Sequence, residues 1–155
     1  MSYIIRGLSP EPFTHLFNQT SEILAAYGAV RKTADAAPGY PCRISLEDAA
    51  LGEQVILLNH ESHTARTPYR SAYAIYIREN QTEAAVYEDA LPPVFLNRPI
   101  ALRMFNAGGM LVGATIAQGD ALEAAILQAL ARDDVDYIHA HNAAHGCFAA
   151  EIRRS

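Results

Sequence analysis

Apolar and polar residues alternate, or group into short apolar runs, over most of this chain, and this pattern favours β-strands over long helices. In the N-terminal half it predicts strands over residues 3–8, 55–60 and 72–79. The segment 33–43 contains two prolines and a glycine within four positions, which excludes a helix or a central strand. We therefore predict a turn there that enters a further strand at Cys42.

The C-terminal half contains two predicted hairpins. Residues 100–117 alternate in the manner of two strands around the turn sequence NAGG, whose glycines suit the positive φ of a tight turn. In the first of these strands, Arg103 falls on the face opposite the larger aliphatic side chains. The second hairpin joins residues 135–141 to residues 147–153 through the five-residue loop NAAHG.

Three helices are predicted from residue spacing and capping residues. A short helix begins at Pro10, because proline is well tolerated in a first helical turn. A second helix runs over residues 21–27. The longest covers residues 120–132, where Asp120 and Glu123 have the spacing of a capping box and apolar residues recur at helical intervals.

The order of these elements predicts an α+β fold. We expect a single domain over residues 1–155, built on a mainly antiparallel sheet of about five to seven strands. The 120–132 helix and the N-terminal helices are predicted to cover one face of that sheet. The opposite face, partly exposed to water, is predicted to carry the histidines of the C-terminal hairpin.

Composition narrows the range of functions. The formal net charge is -5 and no basic face is visible, so the chain lacks the pattern of a nucleic-acid-binding protein. No apolar run is long enough to span a membrane, and the first residues do not resemble a signal peptide. We therefore expect a cytoplasmic protein in which Cys42 and Cys147 are reduced. A homodimer is an open expectation, because two-fold dimers are the commonest oligomers.

The C-terminal hairpin holds the residues with the clearest chemical character. Strand alternation directs His139 and His141 to one face, and the five-residue loop is predicted to place Cys147 across from His141. Two imidazoles and a thiol are ligands that zinc prefers, with Cys42 or His145 as a candidate fourth. A slip of one residue in the register would turn Cys147 to the other face.

Two other interpretations of this hairpin remain open. In the first, Cys147 is a catalytic nucleophile, His141 is its base and Asn142 orients a ring. In the second, Cys147 packs as a small apolar residue and the histidines have only a structural role.

Arginines on or beside loops predict a site for an anion. Arg43 follows the rigid PGYPCR turn, and Arg70 closes the polar loop 63–70. If that loop folds toward the hairpin, Arg43 and Arg70 are placed to hold a carboxylate or phosphate, with His141 beside them. The candidate ligand-binding residues are Arg43, Tyr69, Arg70, Arg103 and Asn142.

Three segments carry a resemblance to a known family: DAAPGYPCRISLEDAALGEQVILLNHE, TPYR with IYIRE, and YIHAHNAAHGCFAAEIRR. They closely resemble the bacterial family called domain of unknown function 1203, over most of the chain. The resemblance implies a bacterial protein of this length and supplies no reaction, cofactor or catalytic residue. The residues themselves favour a domain that binds an anionic small molecule. The alternatives are a small enzyme with a zinc or thiol centre and a protein-interaction domain without a catalytic site.

Overall fold

The computed structural model describes all of residues 1–155 and contains nine strands, two α-helices and two short 3₁₀ helices. The strands are β1 Tyr3–Arg6, β2 Val30–Thr33, β3 Gln54–His63, β4 Ser71–Arg78, β5 Val86–Glu88, β6 Ile100–Phe105, β7 Leu111–Ala117, β8 Tyr137–Asn142 and β9 Phe148–Arg154. The helices are α1 Ser21–Ala26, α2 Asp120–Leu130 and the 3₁₀ helices Glu11–Leu16 and Pro93–Phe95. No helix of the chain is long and apolar enough to cross a membrane.

The strands form two antiparallel sheets and confirm the predicted α+β class. The large sheet has the order β5-β1-β9-β8-β6-β7, and the small sheet has the order β2-β3-β4. The large sheet has six strands, within the predicted five to seven, but the prediction of a single sheet is wrong because β2, β3 and β4 form a second one. The sequence pattern missed β2 and β5, since both are short and mostly exposed. The predicted strand at Cys42 is wrong as well, because Cys42 makes only an isolated bridge to Tyr76.

The large sheet packs one face against α2. Alternate residues of β6 point into this core, including Ile100 and Leu102, and meet the apolar stripe of α2 around Leu122 and Ile126. This arrangement confirms the predicted alternation of β6, which leaves Arg103 on the opposite face.

The N-terminal helices pack against the small sheet, which corrects the prediction that they cover the same sheet as α2. Phe13, Leu16 and Leu24 form a separate core with Ile56 and Ile77. This second core exists because β3 and β4 pair with each other and do not join the large sheet.

The start of α2 also differs from the prediction. Gly119, with a φ of 61°, is the residue that precedes the helix, and no side chain caps it. Glu123 does not turn back to form a capping box, because its carboxylate accepts a hydrogen bond of 2.7 Å from the Tyr3 hydroxyl. That contact ties α2 to β1 instead.

The second face of the large sheet meets residues of the small sheet in a buried layer of histidine and aromatic side chains. His63, at the end of β3, stacks on Phe105 and contacts His139 edge-on. Tyr73, in β4, contacts His141 edge-on. The predicted half-exposed face is therefore covered, and all three of these histidines are buried. This layer fixes the position of β4 relative to the C-terminal hairpin.

Candidate functional site

A cavity of about 450 Å³ lies between β4, at the edge of the small sheet, and the turn of the β8–β9 hairpin. We call it the Arg43 cavity. Its polar and aromatic lining includes Arg43, Tyr73, Tyr76, Arg98, Asn142 and Cys147. Leu57 and Ala74 supply apolar surface, and His145 completes the hairpin side.

Arg43 is held between two parts of the chain by its own backbone. Its N–H donates to the carbonyl of Tyr76, and its carbonyl accepts from the N–H of Leu8. The side chain is only 1% exposed. Its Nη2 donates to the Cys147 sulfur at 3.1 Å, whereas Nε and Nη1 are buried without a partner. Burial lowers the pKa of Arg43, and the neighbouring Cys147 opposes that shift.

Most arginines of this chain have a carboxylate partner, whereas the Arg43 side chain has none. Six of the eleven arginines have a carboxylate oxygen within salt-bridge distance, namely Arg31, Arg70, Arg78, Arg98, Arg132 and Arg153. Arg43 is the most buried charged residue of the chain, yet it has no carboxylate partner. A buried charge normally needs an opposite charge or a full set of hydrogen bonds. Arg43 therefore presents unsatisfied positive charge at the wall of the cavity.

Cys147 reaches Arg43 because the hairpin register differs from the predicted one. A bulge between Ala140 and His141 pairs His141 with Phe148. Asn142 instead lies across from Cys147, and its N–H donates to the Cys147 carbonyl at 3.0 Å. The predicted His141–Cys147 pair is therefore wrong, and the register shift directs the sulfur into the cavity.

His141 lies behind the cavity wall. Its Nδ1 donates to the carbonyl of Gly146 at 2.8 Å, and its ring contacts Tyr73 and Phe148 edge-on. Burial lowers the pKa of His141 to about 4, further helped by the positive charges of Arg103 and Arg43. The imidazole is therefore neutral at pH 7, and its Nδ1 is already used by the loop.

The other two buried histidines bond to groups within the layer. His139 donates from Nε2 to a Glu151 carboxylate oxygen at 3.3 Å. Burial opposes ionisation of Glu151, but hydrogen bonds from His139 and Arg153 outweigh it and lower the pKa of Glu151 to about 2. His63 donates from Nδ1 to the Tyr69 carbonyl and accepts the Tyr137 hydroxyl at 2.7 Å.

The four predicted zinc ligands do not come together. The Cys42 sulfur is fully buried and accepts backbone N–H groups of Ile44, Ser45 and Arg78. No group of three or more His, Cys, Asp and Glu side chains has an arrangement that could hold a metal ion. His139 and His141 instead bond to Glu151 and to the Gly146 carbonyl, and the Cys147 sulfur contacts Arg43.

The predicted ligand-binding residues divide between the cavity and its surroundings. Arg43 and Asn142 line it, and the buried Asn142 Oδ1 has no partner. Arg103 donates to the Tyr73 hydroxyl at 3.0 Å and so supports the wall from behind. Arg70 pairs with Glu61 on the surface, and its side chain is 60% exposed.

Tyr69 lies outside the cavity too, since its ring packs edge-on against Phe105. Sequence reasoning missed Tyr73, Tyr76, Arg98 and His145 as lining residues. The polar tyrosines within the apolar β4 pattern were the available signal for the first two. Arg98 offered no local signal.

One comparison with known proteins identified a family that contains these residues. The chain matches the family described as "Protein of unknown function (DUF1203)" over residues 39–154, a range that contains the whole lining of the Arg43 cavity. Searches of curated proteins and of solved structures found no match. Since the match covers most of its length, the chain belongs to the DUF1203 family.

Proposed function

We propose that this protein binds a small anionic molecule, through a carboxylate or phosphate group, in the Arg43 cavity. The observation that carries the proposal is the buried guanidinium of Arg43, which has two nitrogens without partners and no carboxylate beside it. Removing such a charge from water costs several kcal/mol unless an anion or hydrogen bonds offset it. A bound oxyanion offsets that cost in the liganded state.

The positive charge of the cavity lining suits an anionic ligand. The guanidinium of Arg presents several donors in a planar fork, which matches the oxygens of a carboxylate or phosphate. Arg98 adds a second cation to the lining, although Asp48 partly neutralises it. The long-range attraction for an anion is therefore strongest next to Arg43.

The remaining lining suggests what the rest of the ligand contains. Asn142 Oδ1 is a buried acceptor without a donor, so it favours a ligand hydroxyl or amine. Leu57, Ala74 and the rings of Tyr73 and Tyr76 supply surface for a short carbon skeleton. We therefore infer a hydroxy acid, an amino acid or a small phosphate ester as the ligand class.

Thermal shift and calorimetric titration test the proposal with four probes: acetate, lactate, inorganic phosphate and glycerol phosphate. Binding at a ligand concentration of about a hundred times Kd stabilises the fold by about 2.7 kcal/mol. For a chain of this size that raises Tm by roughly 5–10 °C. We expect lactate and glycerol phosphate to raise Tm more than acetate does, because their hydroxyl groups can also donate a hydrogen bond to Asn142 Oδ1.

Two matched variants test whether the probes bind at Arg43. Arg43→Met removes the buried charge while keeping similar volume, so it should abolish binding and leave stability equal or higher. Arg70→Met removes a paired surface arginine and should leave binding unchanged. Absence of any shift at millimolar probe concentration, or equal binding by Arg43→Met, contradicts the proposal.

A further inference from the structure

We propose that Cys147 is a nucleophilic thiol that organic hydroperoxides oxidise within the Arg43 cavity. This inference goes beyond the proposed function, since it needs Arg43 and the cavity but not the anionic ligand. Cys147 is a free, partly exposed cysteine that lines the cavity. Its sulfur contacts Arg43, a residue that is 1% exposed and has two nitrogens without partners.

The charge beside the sulfur is the reason for expecting reactivity. The thiolate, and not the thiol, is the nucleophile. The Cys147 thiolate has a guanidinium 3.1 Å from its sulfur, on a residue that is only 1% exposed. A cation at this distance stabilises an anion more strongly in such a site than in bulk water. Arg43 therefore takes the activating role that the sequence had suggested for His141.

The second cysteine of the chain provides a contrast. The Cys42 sulfur also accepts hydrogen bonds, but these come from backbone N–H groups and the residue is fully buried. No reagent reaches it in the folded protein. Cys42 thus serves as an internal control for the reactivity of Cys147.

The reaction follows from the groups present. The Cys147 thiolate attacks the terminal oxygen of a hydroperoxide, so that an S–O bond forms and the O–O bond breaks. Sulfur loses two electrons and becomes sulfenic acid, and the peroxide is reduced to an alkoxide, which takes up a proton and leaves as the alcohol. The positive charge of Arg43, 3.1 Å from the sulfur, stabilises the alkoxide as it leaves. A cavity of about 450 Å³ has room for the carbon part of an organic hydroperoxide.

The rate of sulfenic acid formation tests the inference. Reduced protein is mixed with hydrogen peroxide or cumene hydroperoxide at pH 7, sulfenic acid is trapped with dimedone, and labelling at Cys147 and Cys42 is measured by mass spectrometry. We expect Cys147 in the folded protein to react at least about tenfold faster than in the urea-unfolded chain, because the guanidinium beside the sulfur stabilises the negative charge that develops on the leaving oxygen. Arg43→Met should remove most of that gain, and Arg70→Met should not.

Two results overturn the inference: a folded-state rate equal to that of the unfolded chain, or a rate that Arg43→Met leaves unchanged. If Arg43→Met does not fold, the folded-versus-unfolded comparison decides alone. Anion binding measured on Cys147→Ser, which keeps Arg43, separates the two proposals. Binding by that variant together with slow oxidation of the wild type overturns only the thiol chemistry, and the reverse result overturns only the anion site.

Discussion

The side chain of Arg43 has a sulfur atom as its sole hydrogen-bond partner, although Arg43 is the most buried charged residue of the chain. The sequence singled it out because a rigid turn precedes it, and the structure places it on the cavity wall. The sequence did not indicate that its side chain lacks a carboxylate. Whether a carboxylate reaches Arg43 depends on which acidic residues of other segments approach its side chain. Asp48, an acidic residue near Arg43 in the sequence, forms its salt bridge with Arg98.

The buried histidines predict a specific dependence of stability on pH. His141 has a pKa of about 4 in the folded protein and about 6.5 in an unfolded chain. The unfolded state therefore binds more protons between these values, and stability falls as the pH is lowered through this window. We expect His141 to account for a loss of about 2 kcal/mol between pH 7 and pH 5.

Urea unfolding of His141→Asn at both pH values measures this contribution. Asparagine keeps a donor near the position of Nδ1, so the bond to the Gly146 carbonyl can persist. The variant should lose less stability than the wild type on acidification. His15→Asn, at an exposed position, is the control and should keep the full loss. Equal losses in the wild type and His141→Asn would contradict the assignment.

At the scale of elements, the segment that carries Arg43 depends on a close contact with β1. A Cβ added to Gly7 would lie 2.2 Å from the carbonyl oxygen of Ile44 and 3.1 Å from that of Arg43. The neighbouring Leu8 N–H donates to the same Arg43 carbonyl. Gly7 is thus required by the close approach of two backbones that together position the cavity arginine.

Gly7→Ala should therefore reduce both stability and anion binding. Overpacking of this kind costs about 1–3 kcal/mol, and relief requires the 43–44 segment to move. Thermal unfolding and probe titration measure the two effects. Gly108→Ala is the matched control, because Gly108 lies outside the cavity lining and its added Cβ would meet nothing nearer than 3.4 Å. An unchanged Tm in Gly7→Ala would show that the backbone separates without cost.

The β8–β9 hairpin shows why the site was only partly predictable at this scale. Alternation correctly placed His139 and His141 on one face and Ile138 in the core. The register of the hairpin differs from the predicted one, and a bulge at Ala149, opposite Ala140 and His141, pairs His141 with Phe148, so that Cys147 lies across from Asn142. Alternation within one strand is visible in the sequence, whereas a bulge depends on the strand opposite.

At the scale of the whole molecule, two sheets with separate cores are joined by the buried histidine and aromatic layer. The contacts between His63 and Tyr137 and between Tyr73 and His141 cross from one sheet to the other. Unfolding of one sheet would expose the aromatic rings of this layer to water and break its hydrogen bonds, and the free energy lost opposes separate unfolding of either sheet.

We therefore expect the chain to unfold in one cooperative transition. The protein has no tryptophan and eight tyrosines, so tyrosine fluorescence reports on tertiary packing around these side chains and far-ultraviolet circular dichroism on both sheets. The two urea curves should coincide, as two-state unfolding requires. Separate midpoints would show that the small sheet unfolds on its own.

The sequence by itself determined the α+β class, the dominance of antiparallel pairing, most strand positions and the candidates Arg43, Asn142 and Cys147. These follow from alternation, turn residues and side-chain chemistry, which act over a few neighbouring residues. Only the tertiary structure decided that there are two sheets, that the histidines are buried between them and that Cys147 contacts Arg43, 104 residues away. Those outcomes depend on a one-residue bulge and on packing between distant segments, and neither leaves a local pattern in the chain.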